Sequence, residues 1–307
     1  MKYTKPPLSF EEQAKLLLDR GLLVTDETEL LKYLSTVNYY RLSGYLYPFK
    51  QIDPVTGKES FFPDTKFSTI VKRYEFDRKL RLLLMDAIER IEVAILRTQF
   101  VEKFTLTYGT FGYTEHRNFK PEFPRDEFRK SLEAISFDEK RSSEEFIKRY
   151  RSKYNEEPFL AFWMAAEIMS FGQLYTLYKY SHREIQILIA KKYDLPAIVL
   201  DSWLLTLLYI RNACAHHVRI WNRVLPVPPL FPDKKNDPNW YEPVVISNKR
   251  IFAVLTIIRY LMNVIDSNNH IQLSMNQLLR ENQDIPLDLM GFPENWEECK
   301  YWMIANL

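Results

Sequence analysis

Apolar residues recur at helical spacing through most of the chain, and the longest such pattern begins at Ser68. Residues 68–104 read STIVKRYEFDRKLRLLLMDAIERIEVAILRTQFVEKF. The apolar positions that stay close to helical spacing are Ile70, Tyr74, Leu80, Leu84, Ile88, Ile91 and Ile95. Such spacing places side chains on one face of a helix. The pattern therefore predicts one long helix as the central element of the fold.

Helix-start signals precede this element. SFEE at 9–12 and DETE at 26–29 are typical of capping boxes, in which a short polar side chain and a glutamate satisfy the first backbone amides. Asn38 is predicted to cap a third helix, which Pro48 ends. Residues 51–66 predict a turn or short hairpin followed by a linker.

Further helices are predicted after the long one, beyond a loop-like segment at 105–125. They begin near SSEE at 142–145, at Pro158, at SHRE 181–184 and after Pro196, and we expect Gly172 to break the second and Asp201 or Ser202 to cap the last. Residues 223–244 hold six of the seventeen prolines and predict an ordered loop or lid. We therefore expect an all-α protein with little or no sheet. Its predicted parts are an N-terminal helical lobe at 1–66, a helical core at 67–266 and a C-terminal helical extension at 267–307.

The composition of the chain argues against several classes of protein. Seven glycines are too few, and wrongly placed, for the phosphate-binding loops of nucleotide enzymes, and the two cysteines fit neither a disulfide framework nor zinc spacing. No metal or other cofactor is expected. The sequence shows no secretory leader and no long uncharged apolar run, so we expect a soluble cytoplasmic protein with no membrane partner. A net charge of +2 permits an anionic partner without requiring one.

The most unusual stretch is RNACAHHVRIWN at 211–222, which follows the apolar run SWLLTLLYI. On an ideal helix its polar face spans an arc of about 140°. That face holds Arg211, Asn212, Ala215, His216 and Arg219. Core positions lie on another side, at Trp203, Leu207, Ile210 and Cys214. Upstream, Leu204, Leu205 and Leu208 extend the polar face as an apolar surface, which predicts a contact with another domain or a second subunit.

This set of side chains suits RNA cleavage without a metal. Imidazoles exist in both protonation states near neutral pH, so His216 is the candidate for proton transfer. The guanidinium of Arg211 would bind phosphate oxygens. Asn212 lies one turn before His216 and would orient the imidazole of His216. The nucleophile would be the 2′-hydroxyl of the substrate. The spacing of Arg211 and His216 is also typical of surface residues or of an ion pair. For His217, the alternative interpretation is a hydrogen-bonded histidine in the core. Cys214 is expected to be a small packing residue.

Five segments in this order resemble the abortive-infection AbiD/AbiF-like proteins of bacteria, which belong to the HEPN superfamily of helical ribonucleases and RNA-binding modules. They are VNYYRLSGYLYPF at 37–49, YEFDRKLR at 74–81, IERIE at 88–92, EIMSFGQL at 167–174 and RNACAHHVRIWNR at 211–223. The resemblance implies a HEPN-like bundle of four or five helices and antiphage or toxin-like action on RNA. It also assigns the RxxxxH motif of the superfamily to Arg211 and His216, with Asn212 following the arginine.

HEPN nucleases usually build one site from two motifs, whereas this chain carries one copy. The resemblance therefore implies a homodimer that joins two Arg211/His216 sets. Candidate RNA contacts are Tyr39, Tyr40, Arg41, His217, Arg219, Asn222 and Arg223. The tyrosines would stack on bases, but they fit equally a role in packing the N-terminal lobe.

The leading hypothesis is a metal-independent endoribonuclease that leaves a 2′,3′-cyclic phosphate. The alternative is a non-catalytic RNA-binding module partnered with a small structured RNA. A protein-interaction scaffold is the third possibility.

Overall fold

Helices joined by loops make up the part of the chain that this computed structural model describes, Lys2 and residues 6–303. The sheet in that part is one antiparallel hairpin, β1 (Lys50–Ile52) and β2 (Glu59–Phe61), with Lys50 opposite Phe61. The predicted all-α class and the predicted short hairpin are both confirmed.

Contacts between residues divide the chain into two compact units. The first comprises the described residues up to Arg81 together with Gln277–Ile285, and the second comprises Leu82–Asn276 together with Pro286 onward. The boundary between them falls inside the long helix. The lobe boundary drawn from the sequence, between 66 and 67, coincides instead with the start of that helix.

The first unit contains α1 (Phe10–Asp19), α2 (Glu27–Thr36), α3 (Tyr39–Leu46), the hairpin and the start of α4 (Phe67–Glu92). Ser9 and Glu12 form the predicted capping box, and Asn38 Oδ1 accepts the amide of Arg41 at 2.9 Å. Asp26 caps α2 through the amide of Thr28. Each cap satisfies an amide that the helix itself leaves without a partner, so these three helices begin where the local sequence directs.

Charged and polar side chains inside the first unit pair with one another. The Tyr45 hydroxyl donates to Asp77 at 2.5 Å, and Arg81, one turn later on α4, forms an ion pair with the same carboxylate. All three are buried. Because a buried charge is costly without a partner, this group ties α3 to α4 at one position.

The second unit contains the remaining helices. They are the rest of α4, a π-helical segment Val93–Phe100, α5 (Val101–Tyr108), α6 (Arg125–Arg141), α7 (Glu145–Lys153), α8 (Phe162–Ile168), α9 (Phe171–Tyr180), α10 (Arg183–Lys191), α11 (Ala197–Ala215) and α12 (Ile251–Ile265). Helix α13 (Ile271–Arg280) begins in this unit. Helix α4, the π-helical segment and α5 run without a break, which confirms the long central helix.

Packing in the second unit centres on aromatic rings and on α11. Phe100 meets Phe104, Phe162 and Tyr178 edge to face at 5.6–5.8 Å between ring centroids. The predicted core side of α11 is confirmed, since its four members are buried: Trp203, Leu207, Ile210 and Cys214.

The proline-rich segment 223–244 is an ordered strap along α11. Trp203 Nε1 donates to the carbonyl of Leu230 at 2.6 Å, and the amide of Leu230 donates to Ser202 Oγ at 2.7 Å. Thr206 Oγ1 donates to the carbonyl of Val227. Prolines remove backbone donors, so side chains of α11 supply hydrogen bonds that the strap cannot make with itself.

Predicted helices differ from the structure at four places. The helix predicted to begin at Pro158 begins at Phe162. Residues 125–141 form α6, which is not predicted from the sequence because only Phe128 and Ile135 of this helix are buried. The break after α8 falls at Ser170, whose side chain forms a capping box with Gln173, and Gly172 lies inside α9. Helix α11 begins at Ala197, so Asp201 and Ser202 lie beyond its first turn and do not cap it.

Helix α11 is also long and apolar enough to cross a membrane by length and composition, with a mean hydropathy of 1.3. This differs from the expectation, drawn from the sequence, that no stretch of the chain approaches such length and hydropathy. Yet 56% of the apolar stretch is buried inside the second unit, as in the core helix of a folded domain. Its hydropathy is therefore accounted for by packing.

We expect Asp77→Ala to lower the free energy of unfolding by about 3 kcal/mol or more, because Arg81 and the Tyr45 hydroxyl lose the buried carboxylate that pairs with them. Urea unfolding followed by circular dichroism measures the change. The matched control is Arg78→Ala, which removes the exposed pair with Glu75 on the same helix and should cost roughly 0.5 kcal/mol. Equal losses of unfolding free energy in the two variants would contradict the larger contribution that we expect from the buried group.

Candidate active site at the end of helix α11

The polar sequence at 211–222 lies at the exposed end of α11 and not inside a buried helix. The helix ends at Ala215, and His216 is its cap, with its amide donating to the carbonyl of Asn212 at 3.0 Å. His216 and His217 are exposed. The placement of residues 216–222 on an ideal helix is therefore wrong, and so is the reading of His217 as a core histidine.

Helix α11 ends in a turn that changes the direction of the chain. His217 takes a left-handed backbone, with φ of 56°, and its amide donates to the carbonyl of Cys214. The amide of Val218 donates to the carbonyl of Ala213. This pair of bonds is the Schellman motif, in which glycine usually occupies the left-handed position. Because a histidine occupies this position, the glycine that usually marks a helix C-terminus is absent. The sequence therefore does not predict that α11 ends here.

Arg211 and His216 are five residues apart at the end of α11, which separates them by about 140° around the helix axis. Arg211 is half-buried in the last turn, and the cap at His216 follows about 7.5 Å further along. Arg211 Nη1 donates to Asn212 Oδ1 at 3.3 Å. In this structure the Asn212 side chain therefore steadies the guanidinium of Arg211, whereas its backbone carbonyl holds the amide of His216.

The residues after the turn hold the segment in place. Ile220 and Trp221 are buried, and Asn222 Oδ1 accepts from Arg250 Nη1 at 3.1 Å. The guanidinium of Arg223 lies 5.7 Å from the ring centroid of Tyr209. Asn222 and Arg223, predicted as RNA contacts, thus have intramolecular partners, and Arg219 is half-exposed near the turn.

An open cleft of about 880 Å³ reaches Arg211. Its described lining residues are Arg97, Asp138, Arg141, Ser142, Glu144, Phe146, Glu167, Ile168, Met169, Ser170 and Arg211. They come from the π-helical segment, α6 and the loop after it, α7, α8 and α11. The cleft therefore collects three guanidinium groups from distant parts of the sequence, beside three carboxylates.

Two walls of the cleft are fixed by hydrogen bonds. Arg97 forms an ion pair with Glu92 at 2.6 Å and donates to the carbonyls of Ala166 and Met169. Gln173 Nε2 donates to Asp138 at 2.8 Å. The EIMSFGQL segment at 167–174 thus builds a wall of this cleft. Arg97, Arg141 and Asp138 line the candidate site but are not predicted from the sequence, because nothing in their local sequence connects them with Arg211.

The other predicted RNA contacts lie in the first unit. Tyr40 is 88% exposed, as is the nearby Tyr47 at 75%. The hydroxyl of Tyr39 accepts from Arg20 at 3.1 Å, and Arg41 is half-exposed. Tyr40 therefore faces solvent, and Tyr39 makes an intramolecular contact; stacking of either ring on RNA stays a prediction.

The apolar surface that leads to the site is narrower than predicted. Leu204 is buried and Leu208 is half-buried, so both pack within the chain. Leu205 remains 39% exposed and Ile198 55% exposed. Because Ile198, Leu205 and Asn212 recur every seven residues, they form one stripe along α11 that ends beside the polar residues.

Among the described residues, no group of three or more His, Cys, Asp or Glu side chains is placed to hold a metal ion. Both cysteines are buried thiols. Cys214 lies on the core side of α11, in agreement with a packing role, and burial raises the pKa of Cys299.

A partly buried carboxyl lies further up α11. Burial raises the pKa of Asp201, against a hydrogen bond from Tyr175 and the nearby charges of Lys120, Lys179 and Arg183. Asp201 Oδ1 has no hydrogen-bond partner among the described residues. The folded state therefore favours the protonated acid more than the unfolded chain does.

We expect Asp201→Asn to remove a pH dependence of stability. A carboxyl whose pKa is raised on folding stabilises the protein at low pH, and that contribution is lost as pH rises through the raised value. Unfolding by urea at several pH values from about 4 to 8 should show stability falling with pH more steeply in the wild type than in the variant. Asp126→Asn, at an exposed position on α6, is the control and should keep the wild-type slope. Identical slopes for Asp201→Asn and wild type would contradict the prediction.

Comparison with known proteins gives one match. The model of the family described as Abi-like protein matches residues 32–222, which is more than half of the chain. The matched range contains all five segments that carry the resemblance noted above, except for the last residue of the fifth, Arg223. No curated protein and no solved structure matches the chain. The chain belongs to the Abi-like protein family.

Proposed function

We propose that this member of a family associated with abortive infection acts on RNA in the cytoplasm, as a metal-independent endoribonuclease of the HEPN type. The observation that carries the proposal is the exposed His216 at the end of the helix that presents Arg211 to an open cleft. The site would be completed by the same residues of a second copy.

The chemistry needs a proton acceptor, a proton donor and a fixed cation. The ribose 2′-oxygen bonds to phosphorus while the bond from phosphorus to the 5′-oxygen breaks. One His216 of the dimer takes the proton of the 2′-hydroxyl, and the other gives a proton to the departing 5′-oxygen. Arg211, steadied by Asn212, stabilises the extra negative charge on the phosphate oxygens. The products are a 2′,3′-cyclic phosphate and a 5′-hydroxyl.

The cleft offers a path for the strand on either side of the reacting phosphate. Arg141 is exposed there and lies 5.2 Å from the ring centroid of Phe137, which holds the guanidinium without a carboxylate. Of the three lining carboxylates, Asp138 accepts a hydrogen bond from Gln173, whereas Glu144 and Glu167 are exposed. A phosphate chain would therefore be held by Arg141 and Arg211 against repulsion from Glu144 and Glu167.

A second copy is proposed because one chain supplies one motif. The exposed stripe on α11 supports this part of the proposal, since Ile198 and Leu205 lead directly to Asn212. A two-fold contact along this stripe would place two equivalent sites next to each other. Apolar side chains on the same helix as the catalytic candidates would then couple assembly to activity.

A second candidate function is a non-catalytic RNA-binding module that works with a small structured RNA. Tyr40 and Tyr47 favour it, because both rings are exposed and lie seven residues apart on α3 and the turn after it. Exposed rings beside the half-exposed Arg41 suit stacking on unpaired bases. Wild-type protein that retains bound RNA and never cuts it is the result that favours this function.

We expect His216→Ala and Arg211→Ala each to reduce RNA cleavage by about a hundredfold or more, because each removes a group that acts on the transition state. Cleavage of a labelled RNA is measured in the presence of a chelator, and mass spectrometry identifies the product ends. Cleavage should persist in the chelator and leave cyclic phosphates. His270→Ala, another exposed histidine, is the matched control and should cut as the wild type does. Full activity of either site variant would reject the ribonuclease proposal.

We expect Leu205→Glu to dissociate the dimer and to reduce cleavage in parallel, since a carboxylate in an apolar contact is costly. Sedimentation velocity gives the mass of the particle. Leu106→Glu places the same charge at an exposed leucine on α5 and is the control, which should stay dimeric. A wild-type protein that is monomeric at all concentrations, yet active, would refute the two-copy site.

A further inference from the structure

A second open pocket lies in the same unit and shares no lining residue with the cleft at Arg211. Its volume is about 960 Å³. The described lining residues are Arg183, Ile187, Lys191, Asp194, Leu195, Pro196, Ala197, Pro232, Asn236, Asp237, Pro238, Asn239, Tyr260 and Tyr301. They belong to α10, the turn before α11, the first residue of α11, the strap, α12 and the C-terminal segment. Such a volume suits a small organic ligand.

Two tyrosine rings form a fixed wall of this pocket. Their centroids are 5.5 Å apart at 72°. The Tyr260 hydroxyl donates to the carbonyl of Tyr193 at 2.9 Å, and the Tyr301 hydroxyl donates to Asp237. Trp240 supports Tyr301 from a centroid distance of 4.8 Å. Both rings are partly exposed and their hydroxyl groups are held, so the exposed part of each ring is a surface that loses little freedom when a ligand stacks on it.

Helix α10 supplies cations to the same pocket. Arg183, Ile187 and Lys191 recur every four residues, which places them along one face of the helix. Arg183 and Lys191 are exposed, and neither forms an ion pair with a carboxylate in the part of the chain described here. Arg183 makes one long contact, 3.5 Å to Gln186. Both side chains are therefore available to an anionic group of a ligand.

The acidic residues of the pocket do not fully neutralise the positive charges of Arg183 and Lys191. Asp237 accepts from the amide of Asn239, from Trp240 Nε1 at 3.1 Å and from Tyr301. Its carboxylate is thus occupied within the strap. Asp194 lines the pocket, is exposed and is able to accept hydrogen bonds from hydroxyl groups. Asn236 is also exposed and brings an amide that both donates and accepts.

We propose that this pocket binds a nucleotide, with the base against Tyr260 and Tyr301 and the phosphate near Arg183 and Lys191. Fixed aromatic faces together with unpaired cations are the combination that recognises a base joined to a phosphate. A purely apolar ligand would meet charged walls, and an acidic peptide would leave the rings unused. The nucleotide is either a free one or one unit of a single-stranded RNA. The proposal stands independently of cleavage at Arg211 and His216.

Binding to the full chain tests the proposal by calorimetry, with Trp240 fluorescence as a second signal because its ring contacts Tyr301. The probes are AMP, CMP, GMP, UMP and a five-nucleotide RNA, the last used on the His216→Ala variant so that it stays intact. Inorganic phosphate, ribose 5-phosphate and a glutamate-rich peptide serve as comparison ligands. We expect saturable binding of at least one nucleotide or of the RNA, and weaker binding of all three comparison ligands. A mononucleotide that binds as tightly as the RNA identifies a free ligand, and much tighter RNA binding identifies a strand.

A pair of charge reversals locates the site. Lys191→Glu should weaken nucleotide binding about tenfold or more, because a charged hydrogen bond to phosphate becomes a repulsion. Lys192→Glu changes the neighbouring exposed residue, which does not line the pocket, and should leave affinity within about twofold. The proposal is overturned if no nucleotide or RNA binds at millimolar concentration, or if phosphate alone or the acidic peptide binds equally well. Equal losses in the two lysine variants would overturn it as well.

Discussion

The end of α11 is the constraint on which the candidate site depends. The run from Ala197 to Ala215 packs its apolar side in the core of the second unit, and a helix that continued would carry His216 and His217 further along the same axis. The left-handed turn at His217 satisfies the last carbonyls instead and sends the chain back. Trp221, buried a few residues later, anchors the return. The proton-transfer candidate is thereby displayed on a rigid helix end rather than on a loose loop.

Several segments that carry the family resemblance contain polar side chains that pair within the chain. Asp77 and Arg81 of YEFDRKLR are buried partners of Tyr45, and Arg97 joins Glu92 to the carbonyl of Met169 at the edge of the cleft. These groups are satisfied by one another. The first group holds α3 against α4 in the first unit, and the second holds a wall of the cleft in the second unit.

Local signals in the sequence are enough for much of the fold. Ser9 and Asn38 cap the helices that they are predicted to cap, because a cap depends on residues three positions apart or fewer. The turn at His217 is not predictable in this way, since histidine carries no preference for a left-handed backbone comparable to that of glycine. The cleft cannot be predicted from local sequence signals. Arg97 and Arg141 meet Arg211 through tertiary packing, which one sequence does not encode in any short pattern.

The π-helical segment Val93–Phe100 within the long helix has a consequence for how this chain tolerates changes of length. A π-turn closes each hydrogen bond over one more residue than an α-turn, so the segment stores extra residues without breaking the helix. A deletion in an α-helical stretch rotates every later side chain by about 100°, whereas removing the extra residue of a π-turn restores ordinary winding and leaves later side chains facing as before. Phe104 would then keep its ring cluster, although Arg97, inside the segment, would shift away from the carbonyls that it joins. Of the whole long helix, this stretch is therefore the one where a change of length disturbs the following residues least.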